Sequence, residues 1–184
     1  MKDIKLFERW IKRAIKDGMF IFQRKENTSI VCDGITGFRI SNKNTNFLRK
    51  IKQQTFQDLE RDFLIKNREI SYHEFQTKID DQVEEALSKE SKEREISKLL
   101  FQMDFEDLAR VIDVDKEEKI FVNEKYIKYF EATPGDTKVF SVSNVSLQVF
   151  KKGERFEEEC CFALPIRMKN SFRYNIEKVT EEEM

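Results

Sequence analysis

Apolar positions over residues 3–17 recur at helical spacing. Ile4, Phe7, Ile11 and Ala14, with Leu6, Trp10 and Ile15, form one face of a predicted amphipathic helix. Lys5, Arg9, Lys12 and Lys16, spaced by four, three and four, form a basic stripe on the other side. Asp17-Gly18 closes the helix, with Gly18 as its cap. The period then changes to that of strands: residues 19–24, 29–32 and 35–40 read as three strands. They are separated by a turn at 25–28 and the tight turn Asp33-Gly34, and Gly37 marks an expected bulge.

Residues 46–112 have no Gly or Pro and read as helical. Phe47, Leu48 and Ile51 start one helix, and Phe56, Leu59, Phe63 and Leu64 continue the spacing. Ser71-Tyr72-His73-Glu74 reads as a capping box, opening a helix in which Phe75, Ile79, Val83 and Leu87 recur every four residues. The charged run over 84–95 reads as a solvated helix face. Ile96, Leu99, Leu100, Met103, Phe105, Leu108 and Val111 then form an apolar stretch that must pack on something.

A second unit follows an acidic connector at 113–118, whose Asp113-Val-Asp115 spacing lacks the central Gly and terminal Glu of a calcium loop. A short helix over 123–132 precedes strands at 138–143, 145–150 and 159–168. Helix, strand, strand, strand thus occurs at both ends of the chain, a weak pseudo-repeat. The tail after Lys169 is expected to dock as an edge strand or hang free. The expected fold class is α+β, with helix-plus-antiparallel-sheet halves at 1–44 and 117–170, a helical insertion at 45–116 and a tail at 171–184, all within one domain.

Composition narrows the function classes. Charged residues are 38% and apolar residues 39% of the 184, and 17 Phe against one Trp and four Tyr predict a Phe-rich core. The net charge of −1 excludes a globally basic nucleic-acid binder, so such binding must come from a local patch. Cys32, Cys160 and Cys161 lack CxxC spacing, which argues against zinc and a disulfide scaffold. Adjacent Cys160 and Cys161 point to opposite faces of a strand, so at most one is expected to face the core. Charges interrupt the N-terminal residues, unlike a signal peptide, and no uncharged run approaches the ~20 residues of a membrane span. A cytoplasmic protein without membrane contact is the expectation.

Catalytic chemistry has little to stand on. His73 has no Ser or Cys near it in sequence, the Glu157–Glu159 run reads as an exposed loop, and nucleotide-binding and zinc-protease motifs are missing. The expectation is a protein without enzymatic activity, cofactor or metal. The positive signal is the basic stripe Lys5, Arg9, Lys12 and Lys16, joined by Lys125 and Lys128 on the second short helix. Spaced cations of this kind suit contact with DNA phosphates.

Two C-terminal segments carry a resemblance. Phe121-Val122-Asn123-Glu124-Lys125-Tyr126-Ile127 and Leu164-Pro165-Ile166-Arg167-Met168 resemble the FNxxYL helix and the LPxR or MPMR strand of the bacterial DNA polymerase III sliding clamp, at a comparable separation. Asp33-Gly34 and Gly37-Phe38-Arg39-Ile40 are similar to its DGxRLA strand, with two extra residues between the pieces. The resemblance covers about half the chain. It implies a single clamp-type domain of phage or mobile-element type, with helices facing double-stranded DNA, replication partners and a capacity for homo-oligomers. Leu164, Pro165, Ile166 and Met168 would then belong to the core or a partner groove. The alternative is a phage or mobile-element factor that binds a host-defence or other protein through the charged block at 45–116.

Overall fold

A computed structural model describes residues 4–72, 78–88, 92–102, 108–113, 119–143, 145–151, 159–166 and 178–179. The N-terminal helix α1 (Ile4–Lys16) leads into β1 (Met19–Arg24), β2 (Thr28–Cys32) and β3 (Thr36–Ser41), close to the boundaries the pattern predicts. Gly18, at φ +92, takes the left-handed conformation that ends α1. Next come α2 (Thr45–Thr55), β4 (Phe63–Lys66), β5 (Glu69–Ser71), α3 (Ile79–Leu87), β6 (Lys92–Gln102) and β7 (Leu108–Asp113). The C-terminal part holds β8 (Lys119–Asn123), α4 (Glu124–Tyr129), β9 (Lys138–Ser141), β10 (Gln148–Lys151), β11 (Cys160–Ala163) and β12 (Lys178–Val179). The fold class is α+β. The tail contributes β12, which pairs with β6 at Phe101 and Leu100.

The helical reading of 46–112 is corrected: this stretch holds two helices and four strands among the described residues. Helix α2 stops at Thr55 because Phe56 turns left-handed at φ 58 and its N–H bonds back to Lys52 O. No Gly or Pro announces that stop. Around Ile96 the error has another cause. A register irregularity lies between Ile96 and Leu100, which pair with Ile112 and Arg110. Between those pairs, Val111 of β7 alone faces residues 97–99 of β6. The bulge sets two buried residues four apart, which imitates a helical period. His73 and Glu74 of the expected capping box, and Phe75 of the helix it opens, lie outside the described residues, as does most of the acidic connector.

The strands form one sheet in the order β5-β4-β1-β2-β3-β11-β10-β9-β6-β7-β8. Its pairings are antiparallel. The order contains a repeat. In β1-β2-β3-α2-β4-β5, the strand after the helix, β4, pairs with the opening strand β1, and in β6-β7-β8-α4-β9-β10-β11 β9 pairs with β6 in the same way. The same order also keeps the repeat expected from the sequence: α1-β1-β2-β3 and α4-β9-β10-β11 mirror each other about the β3–β11 pair, with β4 beside β1 and β6 beside β9. The two units join where β3 pairs β11.

The sheet curls strongly. Leu164 N–H donates to Ile35 O and Ile166 N–H to Phe121 O, each at 2.8 Å, so three residues bridge the start of β3 to β8. A flat sheet would separate those strands by six steps, about 29 Å. Three residues span only about 11 Å.

Both faces of this sheet are covered. Phe7, Trp10, Ile11 and Ala14 of α1, Phe47 and Ile51 of α2, and Tyr126 and Ile127 of α4 pack with Phe20, Phe22, Val31, Phe38, Ile40 and Phe150 on one side. Val83 and Ala86 of α3 pack with Ile21, Ile30, Cys32, Val149 and Phe162 on the other. Alternate residues of each strand feed alternate cores. That corrects the expectation for the cysteine pair: Cys161 joins the first core and Cys160 the second, and both are buried. Burial pushes the Cys32 thiol up to about 11 and the Cys160 thiol up to about 12, and raises that of Cys161 too, so all three stay protonated and unreactive near neutral pH.

Gly37 marks no bulge, since β3 keeps regular register with both neighbours. It is needed because a Cβ there would lie 2.2 Å from Val31 O and 2.4 Å from the Phe162 ring.

The β6 bulge is closed by Arg110 of β7. Its guanidinium forks onto Glu124 at the start of α4, Nε to Oε2 at 2.8 Å and Nη2 to Oε1 at 2.9 Å. Nη1 donates to the bulge carbonyls of Ser97 and Lys98 at 3.4 and 3.2 Å. Both partners are buried, so losing one strands the other's charge. Glu124→Ala is expected to cost about 3–5 kcal/mol in urea unfolding, while Arg110→Met with Glu124→Leu stays within about 1 kcal/mol of wild type. A Glu124→Ala cost below about 1 kcal/mol would show that the pair does not hold the bulge.

Candidate nucleic-acid interface

Three helices share one side of the sheet, and their outward residues form one surface. Helix α1 lies between the other two. Phe7 meets Phe47 of α2 at 4.7 Å between ring centroids, and Arg13 lies over Tyr126 and Tyr129 of α4 at 5.1 and 5.2 Å. Because Phe7, Trp10, Ile11 and Ala14 face the sheet, Lys5, Arg9, Lys12 and Lys16 must face away, and all four are exposed. Lys125 and Lys128 of α4 are exposed as well. The structure therefore brings the six expected cations onto one helix layer.

Sequence reasoning missed the contribution of α2. Its segment TNFLRKIKQQT carries Arg49, Lys50 and Lys52 and no acid, with Arg49 and Lys52 exposed. Reading the whole block as a mixed-charge insertion hid this basic patch. The three helices together carry ten Lys and Arg against Glu8 and Glu124, in a chain of net charge −1. Glu124 is occupied by Arg110.

Across the sheet, α3 has the sequence IDDQVEEAL, with four acids and no base. Arg39 of β3 holds it by pairing with Asp80 at 3.6 Å and with Glu84. The described helices are therefore sorted by charge, basic on one side of the sheet and acidic on the other.

Helix electrostatics explains only some of these cations. Arg13, Lys16, Lys52 and Lys128 sit in last turns, where the helix dipole favours positive charge. Lys5 and Lys125 are second residues of their helices, where the dipole opposes it. Lys125 has a local partner there, its Nζ lying 5.2 Å from the centre of the Tyr126 ring.

The expected partner residues lie elsewhere. Leu164 is exposed while Pro165 and Ile166 are half-buried, and this segment bridges β3 to β8. Met168 and His73 lie outside the described residues. Among those residues no group of three His, Cys, Asp or Glu side chains is placed to hold a metal, and no helix is long and apolar enough to cross a membrane.

One acid is built into the layer. Glu8 takes Lys50 at 2.8 Å and Lys12 at 2.9 Å, and Gln54 Nε2 donates to it at 3.2 Å, tying α1 to α2. Hydrogen bonds from Lys50 and then Lys12 hold its carboxyl down at about 2, against an ordinary value of 4.5. A depressed folded-state pKa gives stability that is present above about pH 4.5 and is lost as pH falls through about 2. The stability gap between wild type and Glu8→Gln is therefore expected to shrink as pH falls across that window in urea titrations. A gap independent of pH would contradict the assignment.

No protein-family model matches this chain, and no curated protein matches its sequence. Its backbone is similar to solved structures. One is a putative DNA polymerase III beta subunit from Eubacterium rectale ATCC 33656, at 15% identity and TM-score 0.39, covering 88% of this chain and 63% of that one. Another is the DNA polymerase III beta chain of Streptococcus pneumoniae TIGR4, at 9% identity and TM-score 0.37, covering 89% and 63%. A third is the beta subunit from DNA polymerase of Streptococcus pyogenes, at 11% identity and TM-score 0.37, covering 89% and 64%. The chain thus spans less than two thirds of the length of each.

Proposed function

We propose that this chain is a non-enzymatic protein of DNA replication that holds the backbone of double-stranded DNA against its α1–α2–α4 layer. One observation supports the binding reading: the three helices on one side of the sheet carry ten cations against two acids, and the helix on the other side carries four acids and no base. Phosphate contact needs only spaced cations and no base-reading residues. Lys5, Arg9, Lys12, Lys16, Arg49, Lys52, Lys125 and Lys128 supply them. A homo-oligomer formed around DNA belongs to the same proposal.

A second reading, capture of a basic protein, draws on the acidic helix α3 and on exposed Val142 and Val145 between β9 and β10, the strands α3 packs beside. The two readings place the partner on opposite sides of the sheet, so one experiment separates them.

Duplex affinity is measured by fluorescence anisotropy across a salt series. Wild type is expected to weaken steeply with salt, and Arg9→Glu with Lys52→Glu to weaken binding at least ten-fold. The slope of log affinity against log salt should fall by about 0.9 for each phosphate that the variant no longer neutralises. Asp81→Lys with Glu85→Lys should not weaken binding. Unchanged affinity in the first pair, or equal loss in the second, would sink the layer as the DNA surface.

A further inference from the structure

Phe56 is placed where a phenylalanine gains nothing from the fold. It is 87% exposed, the most exposed of the large apolar side chains among the described residues. It also occupies the left-handed cap position of α2 at φ 58, a conformation that favours Gly and strains a bulky side chain. A residue that is both strained and solvated points to a role outside folding.

Its neighbours are firmly held. Thr55 is buried and its Oγ1 donates to Ile51 O at 2.9 Å. Gln57 Nε2 donates to Thr55 O at 3.0 Å, Gln57 N–H to Thr55 Oγ1 at 3.3 Å, and Tyr72 Oη donates to Gln57 Oε1. Phe56 is thus a ring presented by a fixed collar, with the half-exposed Tyr72 beside that collar. The preceding helix is the one with three cations and no acid, and Lys52 lies one turn before Phe56.

An aromatic face next to spaced cations is the combination that takes unpaired bases: the ring stacks on a base while the cations hold the flanking phosphates. A duplex offers its bases already stacked and leaves such a ring unused. We propose that Phe56 is a stacking platform for an unpaired base, so that the α2 end of the layer takes single-stranded DNA. This rests on the layer being a DNA surface and adds the strand form that one end of it prefers.

The experiment compares wild type, Phe56→Ala, Phe56→Gly and Phe56→Trp by anisotropy with a labelled oligothymidylate and with a labelled duplex. Phe56→Ala and Phe56→Gly are expected to weaken the single strand about ten-fold and leave the duplex unchanged. Phe56→Gly relieves the left-handed strain, so a loss of binding in that variant is not a loss of folding. Phe56→Trp should keep single-strand affinity, and its emission should be quenched on binding, against Trp10, which is 0% exposed. Single-strand affinity that is indifferent to Phe56, equal loss of both strand forms, or an unquenched tryptophan overturns the platform. If the charge reversals on the layer still abolish duplex binding, only the platform falls. If wild type binds neither strand form, both readings fall.

Discussion

Arg13 of α1 reaches two other elements at once. Its guanidinium lies over Tyr126 and Tyr129 of α4, and it pairs with Asp33 in the turn between β2 and β3. Asp33 in turn takes the Thr36 hydroxyl and the backbone N–H groups of Ile35 and Thr36. Trp10 Nε1 donates to the same Thr36 hydroxyl at 3.1 Å, from the middle of the aromatic core. Helix α1 is therefore seated on the sheet by one polar chain, and α4 is seated on α1 by the same arginine. Lysine could not replace it, because stacking on two rings and bonding a carboxylate together need the flat guanidinium. This contact joins the core packing of Tyr126 and Ile127 and the Arg110–Glu124 fork in placing α4 and its two exposed lysines.

The charge pattern follows from the way the sheet is covered. A sheet buried on both faces needs a helix layer on each, and every such helix turns its polar side outward. That rule fixes where charge goes and leaves its sign free. Here the signs are sorted, basic over the Phe-rich core and acidic over the smaller one. Glu8 fits the same pattern, since it acts inside the layer as a bridge between Lys12 and Lys50.

The sequence was most legible where period and punctuation agreed. Helix α1, its Gly18 cap and the three strands after it follow from clean alternation and from the Asp-Gly dipeptides. The six cations of α1 and α4 were legible because each helix shows one apolar face. Residues 46–112 were misread for two physical reasons. Phe56 ends α2 without a glycine, and the β6 bulge sets Ile96 and Leu100 at a helical interval. The cations of α2 went unweighed as a result. The burial of both Cys160 and Cys161 was hidden because a two-sided core depends on long-range pairing. The Arg110–Glu124 fork was hidden too, since a buried ion pair looks like surface charge in a sequence.

If the α1–α2–α4 layer is the surface that meets DNA, its lysines should be shielded together when DNA is bound. Lysine acetylation footprinting, read by mass spectrometry with and without duplex DNA, tests it most directly. Lys5, Lys12, Lys16, Lys52, Lys125 and Lys128 should be protected together. Lys25, Lys43 and Lys66, exposed outside the three helices, should react equally in both states. Protection of the second set, or of neither set at a DNA concentration that saturates binding, would contradict the account.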